Sequence, residues 1–215
     1  MIRGYKQEKV LDTPSENHTI YRASKDGKQF LMHEYESINE SDEYTFKIRK
    51  KISKCSHVVE LVEEFEEDDM KYYIEEFIEM DLLKLAMSRN AHVLPLPQAL
   101  EFTARILEVL EEMHSYKLVY RNLRPEKIRL KGTEPHFYDF QLSQFMKRKE
   151  RMFEIVGVGS YLAPEYFSES GYGQEVDVWA LGVLLFYLIV HDYPFTFKGN
   201  EEGAFKEEFM KNEVE

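Results

Sequence analysis

The 215 residues, 43% apolar and 14% aromatic with 32% charged, describe a globular chain with enough apolar side chain to bury a core, which excludes disorder over most of its length. Asp and Glu number 40 against 28 Lys and Arg, a formal charge of -12 that repels phosphate backbones and anionic lipid, so neither nucleic acid nor membrane is an expected partner. Cys55 is the only cysteine, so no intrachain disulfide forms and a reducing, cytoplasmic location is expected. The start MIRGYKQEKV lacks an apolar signal core, and the most apolar stretch, Val178 to Val190, falls short of the ~20 residues a membrane span takes.

In chain order, Thr19 to Ala23 and Gln29 to Tyr35 read as strands joined by a hairpin turn at Lys25-Asp26-Gly27-Lys28. From Ser41 to Lys54, Tyr44, Ile48 and Ile52 recur at helical spacing, with Ser41 as the expected N-cap. Val58 to Phe65 and Lys71 to Ile78 form a second strand pair, and the acidic run Glu66-Glu67-Asp68-Asp69 between them is an exposed turn. From Pro97 the pattern turns helical: Ala99, Phe102, Ile106, Leu110 and Met113 define one long helix ending near Ser115. Two short strands follow, Ile128 to Leu130 and His136 to Phe140, then the basic run Lys147 to Arg151, then a buried helix around Trp179. The C-terminal Phe205 to Met210 reads as a short amphipathic helix. A β-rich front and an α-rich rear predict an α+β fold.

Four strings in the rear half carry more: YRNLRPEK (120 to 127), YDFQ (138 to 141), GVGSYLAPE (157 to 165) and VDVWALGVLLF (176 to 186). In order and spacing they resemble the catalytic loop, the metal-binding turn, the end of the activation segment and the central helix of eukaryotic protein kinases. The resemblance covers most of the chain, weakly before residue 57. It implies a single two-lobed kinase-like domain: a small antiparallel sheet with one helix over 1–78, then a mainly helical lobe over 79–215 without the family's last helices. It further implies structural roles for Asp177 beneath the catalytic loop, for Trp179 and Gly182 around it, and for Leu61, Tyr120 and Phe140 in an apolar column. Glu165 is expected to lack its usual arginine partner, leaving apolar surface for a protein partner.

At the positions where the family does chemistry, the side chains differ. Asn122 stands for the catalytic aspartate, and an amide orients a hydroxyl without accepting its proton. Lys127 stands for the second metal-binding asparagine, a cation where a hard cation takes an oxygen ligand. FLMH (30 to 33) aligns with the strand that carries the phosphate-contacting lysine, placing His33 there and Leu31 above the adenine. Counting back from Leu61 puts Phe46 where the paired glutamate belongs, with Glu43 and Glu40 upstream, so no ion pair is expected. Leu11 to Thr19 holds no glycine to bring bare amides to phosphates. Arg129 replaces an apolar residue below the adenine, Glu75 falls at the gatekeeper, Val158 replaces a threonine, and Gln141 replaces a glycine after the retained Asp139.

Asp139 is a metal ligand only if nucleotide binds; otherwise it is structural, hydrogen-bonded or paired with Lys127. Arg121 either ties its loop to its surroundings or pairs with a phosphorylated segment, for which Ser143 and Ser160 are the candidate phosphosites. Together these positions predict a catalytically inactive scaffold or structural subunit, not an enzyme, with no cofactor. The alternative is an atypical ATP-binding Ser/Thr kinase or nucleotide-dependent switch that uses ATP and Mg²⁺, with Lys127 or His33 on the phosphates.

Overall fold

Asp26 and Gly27 take positive φ angles of 50° and 75° and close a two-residue turn in the computed structural model, which describes residues 1–147 and 150–195. Positive φ at both central positions matches the twist of the flanking strands. Asp68 and Asp69, at 52° and 63°, close a second hairpin in the same way, so the acidic run is an exposed tip. The strands so joined are β1 (Lys6–Ser15), β2 (His18–Lys25), β3 (Lys28–Tyr35), β4 (Leu61–Glu67) and β5 (Met70–Glu76), with α1 (Glu40–Lys51) between β3 and β4. They form an antiparallel sheet ordered β1-β2-β3-β5-β4.

Alternation along the strands separates two faces. Ala23, Met32, Phe65, Tyr72 and Ile74 bury with Tyr5 as one core. His33, Tyr35, Tyr73 and Glu75, the intervening positions of β3 and β5, lie on the opposite face, where Phe46 of α1 stacks on Tyr73 at 3.5 Å and meets Tyr35 edge-on. The helix starts earlier than its predicted cap. Asn39 accepts from Asp42 N at 2.9 Å while Asp42 accepts from Asn39 N at 3.2 Å, a reciprocal capping box that Ser41 cannot make. Leu11 to Thr19, the segment without glycine, is the end of β1, a tight turn at Glu16-Asn17 and the start of β2, with Ser15 paired to His18.

These strands and α1 lie within the first of two compact units, Met1–Glu79; the second is Met80–Glu215. The second holds α2 (Leu82–Met87), α3 (Leu96–Ser115), β6 (Leu118–Val119), β7 (Ile128–Lys131), β8 (Glu134–Phe137), β9 (Gln144–Phe145) and α4 (Glu175–Val190). The predicted stripe of α3 is its buried face: Ala99, Phe102, Ile106, Leu110 and Met113 are each at most 2% exposed. Burying the four larger of these, Phe102, Ile106, Leu110 and Met113, contributes about 1.5–3 kcal/mol each, and α3 packs against α4. The α4 helix is apolar nearly all round, and among the described residues no helix is long and apolar enough to cross a membrane. The fold is α+β. The expected Phe205 to Met210 helix, and Arg148 and Lys149 of the basic run, lie outside the described residues.

Candidate active site

In the second unit, the site is built on the irregular segment that follows β6, and α4 holds it from beneath. Asp177, fully buried in the first turn of α4, accepts from the backbone N–H of Tyr120 and of Arg121, each at 2.8 Å, and meets His114 Nε2 at 2.8 Å. Three donors converge on one carboxylate, which satisfies a charge that burial alone makes costly. Arg121 takes a left-handed φ of 60°, a conformation that costs a non-glycine residue energy and persists only where its surroundings impose it. Its side chain is tied down: Nε donates to Leu142 O at 2.6 Å, and Nη1 donates to the Tyr172 hydroxyl at 2.9 Å and reaches Glu154 at 3.4 Å.

Asn122, 5% exposed, donates through Nδ2 to Asp139 Oδ2 at 3.4 Å, and Lys127 Nζ donates to the same oxygen. The other oxygen of Asp139 accepts from Gln141 N at 3.4 Å. Asp139 is also left-handed, with φ 60°, and both members of the ion pair are largely buried, their side chains 18% and 19% exposed. Lys127 ends the one-turn 3-10 helix Pro125–Lys127, where its N–H donates to Arg124 O at 2.9 Å. Arg124, missed in the sequence, pairs with Glu126 at 2.9 Å through Nη1 and buries its Nε with no hydrogen-bond partner.

The residues present do not fit a divalent cation. A magnesium ion at a nucleotide takes one or two carboxylates and fills its other positions with water and substrate phosphate; Asp139 offers one carboxylate, both of whose oxygens already accept hydrogen bonds, one of them from the Lys127 ammonium, whose charge repels the ion. Among the described residues no group of three His, Cys, Asp or Glu side chains is placed to hold a metal.

Arg129, on β7, pairs with Asp81 at 3.1 Å, donates to the Tyr138 hydroxyl at 3.1 Å and lies 4.4 Å from that ring. Burial, the largest influence, pushes the Tyr138 phenol above its ordinary pKa. Tyr120 is fully buried, donates to Tyr138 O at 2.7 Å, and meets Phe137 and Phe140 edge-on at 4.9 and 5.6 Å. Ser143 is 2% exposed with its hydroxyl on Tyr120 O, whereas Ser160 is half-buried in the 3-10 turn Gly159–Tyr161. Val158 is exposed. Gly157 beside it has φ 116°, and a Cβ there would stand 3.2 Å from Arg121 O, so the segment approaches the loop closely only as glycine. Glu165 is half-buried in the turn Pro164–Phe167, and Trp179 packs against the cluster of Val119, Met152, Ala163, Tyr166, Tyr172 and Val176.

In the first unit, an ion pair joins α1 to the sheet at positions other than His33 and the α1 carboxylates Glu40 and Glu43. Glu75 Oε1 meets Arg49 Nη2 of α1 at 2.6 Å, and its Oε2 lies 3.7 Å from His33 Nε2. His33 Nδ1 is 3.1 Å from His18 Nε2, and His18 stacks on Tyr35 at 4.0 Å. The carboxylate stands on the strand and the permanent cation on the helix. Arg49 also donates to Val59 O at 2.8 Å. Leu31 is half-buried on β3, paired with Glu75, and Leu61 opens β4. Phe46, at the position where the resemblance places a glutamate, is an aromatic packing residue.

A family model described as protein kinase domain matches residues 20–214. Serine/threonine-protein kinase DCLK3 of Mus musculus is 33% identical over 151 residues, 67% of this chain and 19% of its own length. Calcium-dependent protein kinase 24 of Arabidopsis thaliana is 35% identical over 161 residues, 73% of this chain and 27% of its own. Phosphorylase b kinase gamma catalytic chain, liver/testis isoform, of Mus musculus is 26% identical over 181 residues, 78% and 43%. The matches therefore span from about a fifth to about two-fifths of these relatives' length. They overturn the expectation that the chain is not an enzyme: a kinase-domain match over most of the chain, with relatives named as kinases, points to kinase activity.

Proposed function

The chain belongs to the protein kinase family, and we propose that it is an atypical ATP-binding protein kinase that transfers the γ-phosphoryl group to serine or threonine hydroxyls. The observation that carries this reading is the convergence of the Lys127 ammonium and the Asn122 amide on Asp139 Oδ2, on a loop held from beneath by Asp177. Phosphoryl transfer proceeds through a loose transition state in which positioning and charge stabilisation supply most of the catalysis. Lys127 and Arg124 supply positive charge to the phosphates. The Asn122 carbonyl accepts from the substrate hydroxyl and orients it.

In the transfer, the hydroxyl oxygen bonds to the γ-phosphorus, the bond from that phosphorus to the leaving oxygen of ADP breaks, and the hydroxyl proton passes to a phosphoryl oxygen. With no carboxylate to take that proton early, turnover is slow: a general base contributes about 10²–10⁴-fold. The ATP supply and the single, buried Cys55 both suit a cytoplasmic location.

The test is incubation of the full chain with γ-labelled ATP and a serine- and threonine-rich acceptor protein. Label should appear in the acceptor and fall at least tenfold in Lys127→Met, as loss of a charge-assisted bond implies. No label above a protein-free blank would contradict the reading.

A further inference from the structure

The misfit between the second unit and a divalent cation has a positive side. Where an oxygen-ligated ion belongs, the chain places a fixed ammonium: Lys127 Nζ donates to Asp139 Oδ2, with Asn122 Nδ2 on the same oxygen. We infer that nucleotide phosphates bind to this unit without a divalent cation, the Lys127 ammonium supplying the charge that the metal would bring.

The pair is largely shielded, with side-chain exposures of 18% and 19%, so a cation approaching Asp139 meets a like charge at short range and little water to screen it. Lys127 is itself 5.5 Å from the Tyr138 ring, a further hold on its position. Arg124, immediately before the same 3-10 turn, is a second cation, its Nη1 paired with Glu126 at 2.9 Å and its Nε buried without a hydrogen-bond partner, so Lys127 carries the proposal. A lysine serves phosphate as a point charge with three donors; one is used on Asp139, leaving donors for a phosphate oxygen.

This inverts the role of Asp139. As a metal ligand its carboxylate is indispensable. As the anchor of an ammonium it also offsets part of the charge the phosphates need, so removing it leaves binding intact or tighter.

The inference rests on the nucleotide-binding reading, and one experiment separates their failures. ATP is titrated calorimetrically into the full chain in EDTA and in excess Mg²⁺, with Asp139→Asn and Lys127→Met beside the wild type and far-ultraviolet circular dichroism confirming that each is folded. The expected result is ATP affinity equal within about threefold in the two buffers, retained or raised in Asp139→Asn, and lowered about tenfold or more in Lys127→Met. Binding that appears only with Mg²⁺ overturns the inference while the nucleotide reading stands, and loss of binding in a folded Asp139→Asn overturns it in the same way. No binding by the wild type in either buffer overturns both. The comparison between buffers needs no variant, so a variant that fails to fold leaves the test decisive.

Discussion

Arg49 and Glu75 are 6% and 8% exposed, and their opposite charges meet at 2.6 Å. Arg49→Met takes the permanent cation from the buried carboxylate and should cost about 3–5 kcal/mol, whereas replacing both partners by apolar residues should come out near neutral or stabilising; chemical denaturation of the single and double variants measures both. Equal losses in the two would show that the pair is not the unit of stabilisation. Asn122 invites the opposite experiment. Asn122→Asp should raise phosphoryl transfer by about 10²-fold or more, read as initial rate at saturating ATP, and an unchanged rate would remove Asn122 from the hydroxyl's path. Asn122, Lys127 and Asp139 were all legible because they fall inside short contiguous motifs. The Arg49–Glu75 pair was not, because helix and strand meet only once sheet register is set, and no local pattern tells which face of β5 a glutamate occupies.

At the scale of elements, the long helix and the Asp26-Gly27 hairpin were readable because apolar spacing and turn chemistry agree with the fold. β1 was missed for a physical reason: KQEKVLDTPS is an edge strand, exposed nearly throughout and broken by register shifts, so no alternation of apolar and polar residues marks it. The start of α1 moved because Ser41 was judged as a single residue, while the cap is a reciprocal pair, Asn39 with Asp42. Asn39→Ala should therefore lower stability by about 1 kcal/mol, seen as a lower denaturation midpoint with unchanged slope, and Ser41→Ala should change it much less. The reverse ranking would restore Ser41 as the cap.

At the scale of the molecule, the buried tyrosines tie stability to alkaline pH. Burial of the Tyr5 phenol, then its hydrogen bond to Glu63 at 3.0 Å, pushes its pKa up to about 12, and burial raises Tyr72, Tyr73 and Tyr166 as well. A phenol raised in the folded state ionises first in the unfolded chain, so its contribution is complete below the ordinary value of about 10 and is lost as pH rises through the folded value. Melting temperature should hold up to about pH 10 and fall between pH 10 and 12; a flat profile across that window would contradict the assignment. The motifs reveal the family, whereas the replaced side chains taken alone predict a chain that is not an enzyme, an expectation that the kinase matches overturn. Those side chains offer Lys127 as a partner of Asp139, but not the Asn122 amide on the same carboxylate oxygen, a contact that only the fold brings about. The most direct measurement is the melting temperature of the full chain with and without millimolar ATP in EDTA, since a ligand held only by the folded state must raise it. A rise that grows with ATP concentration is the predicted result; a melting curve that ATP leaves unmoved, with or without Mg²⁺, would contradict nucleotide binding.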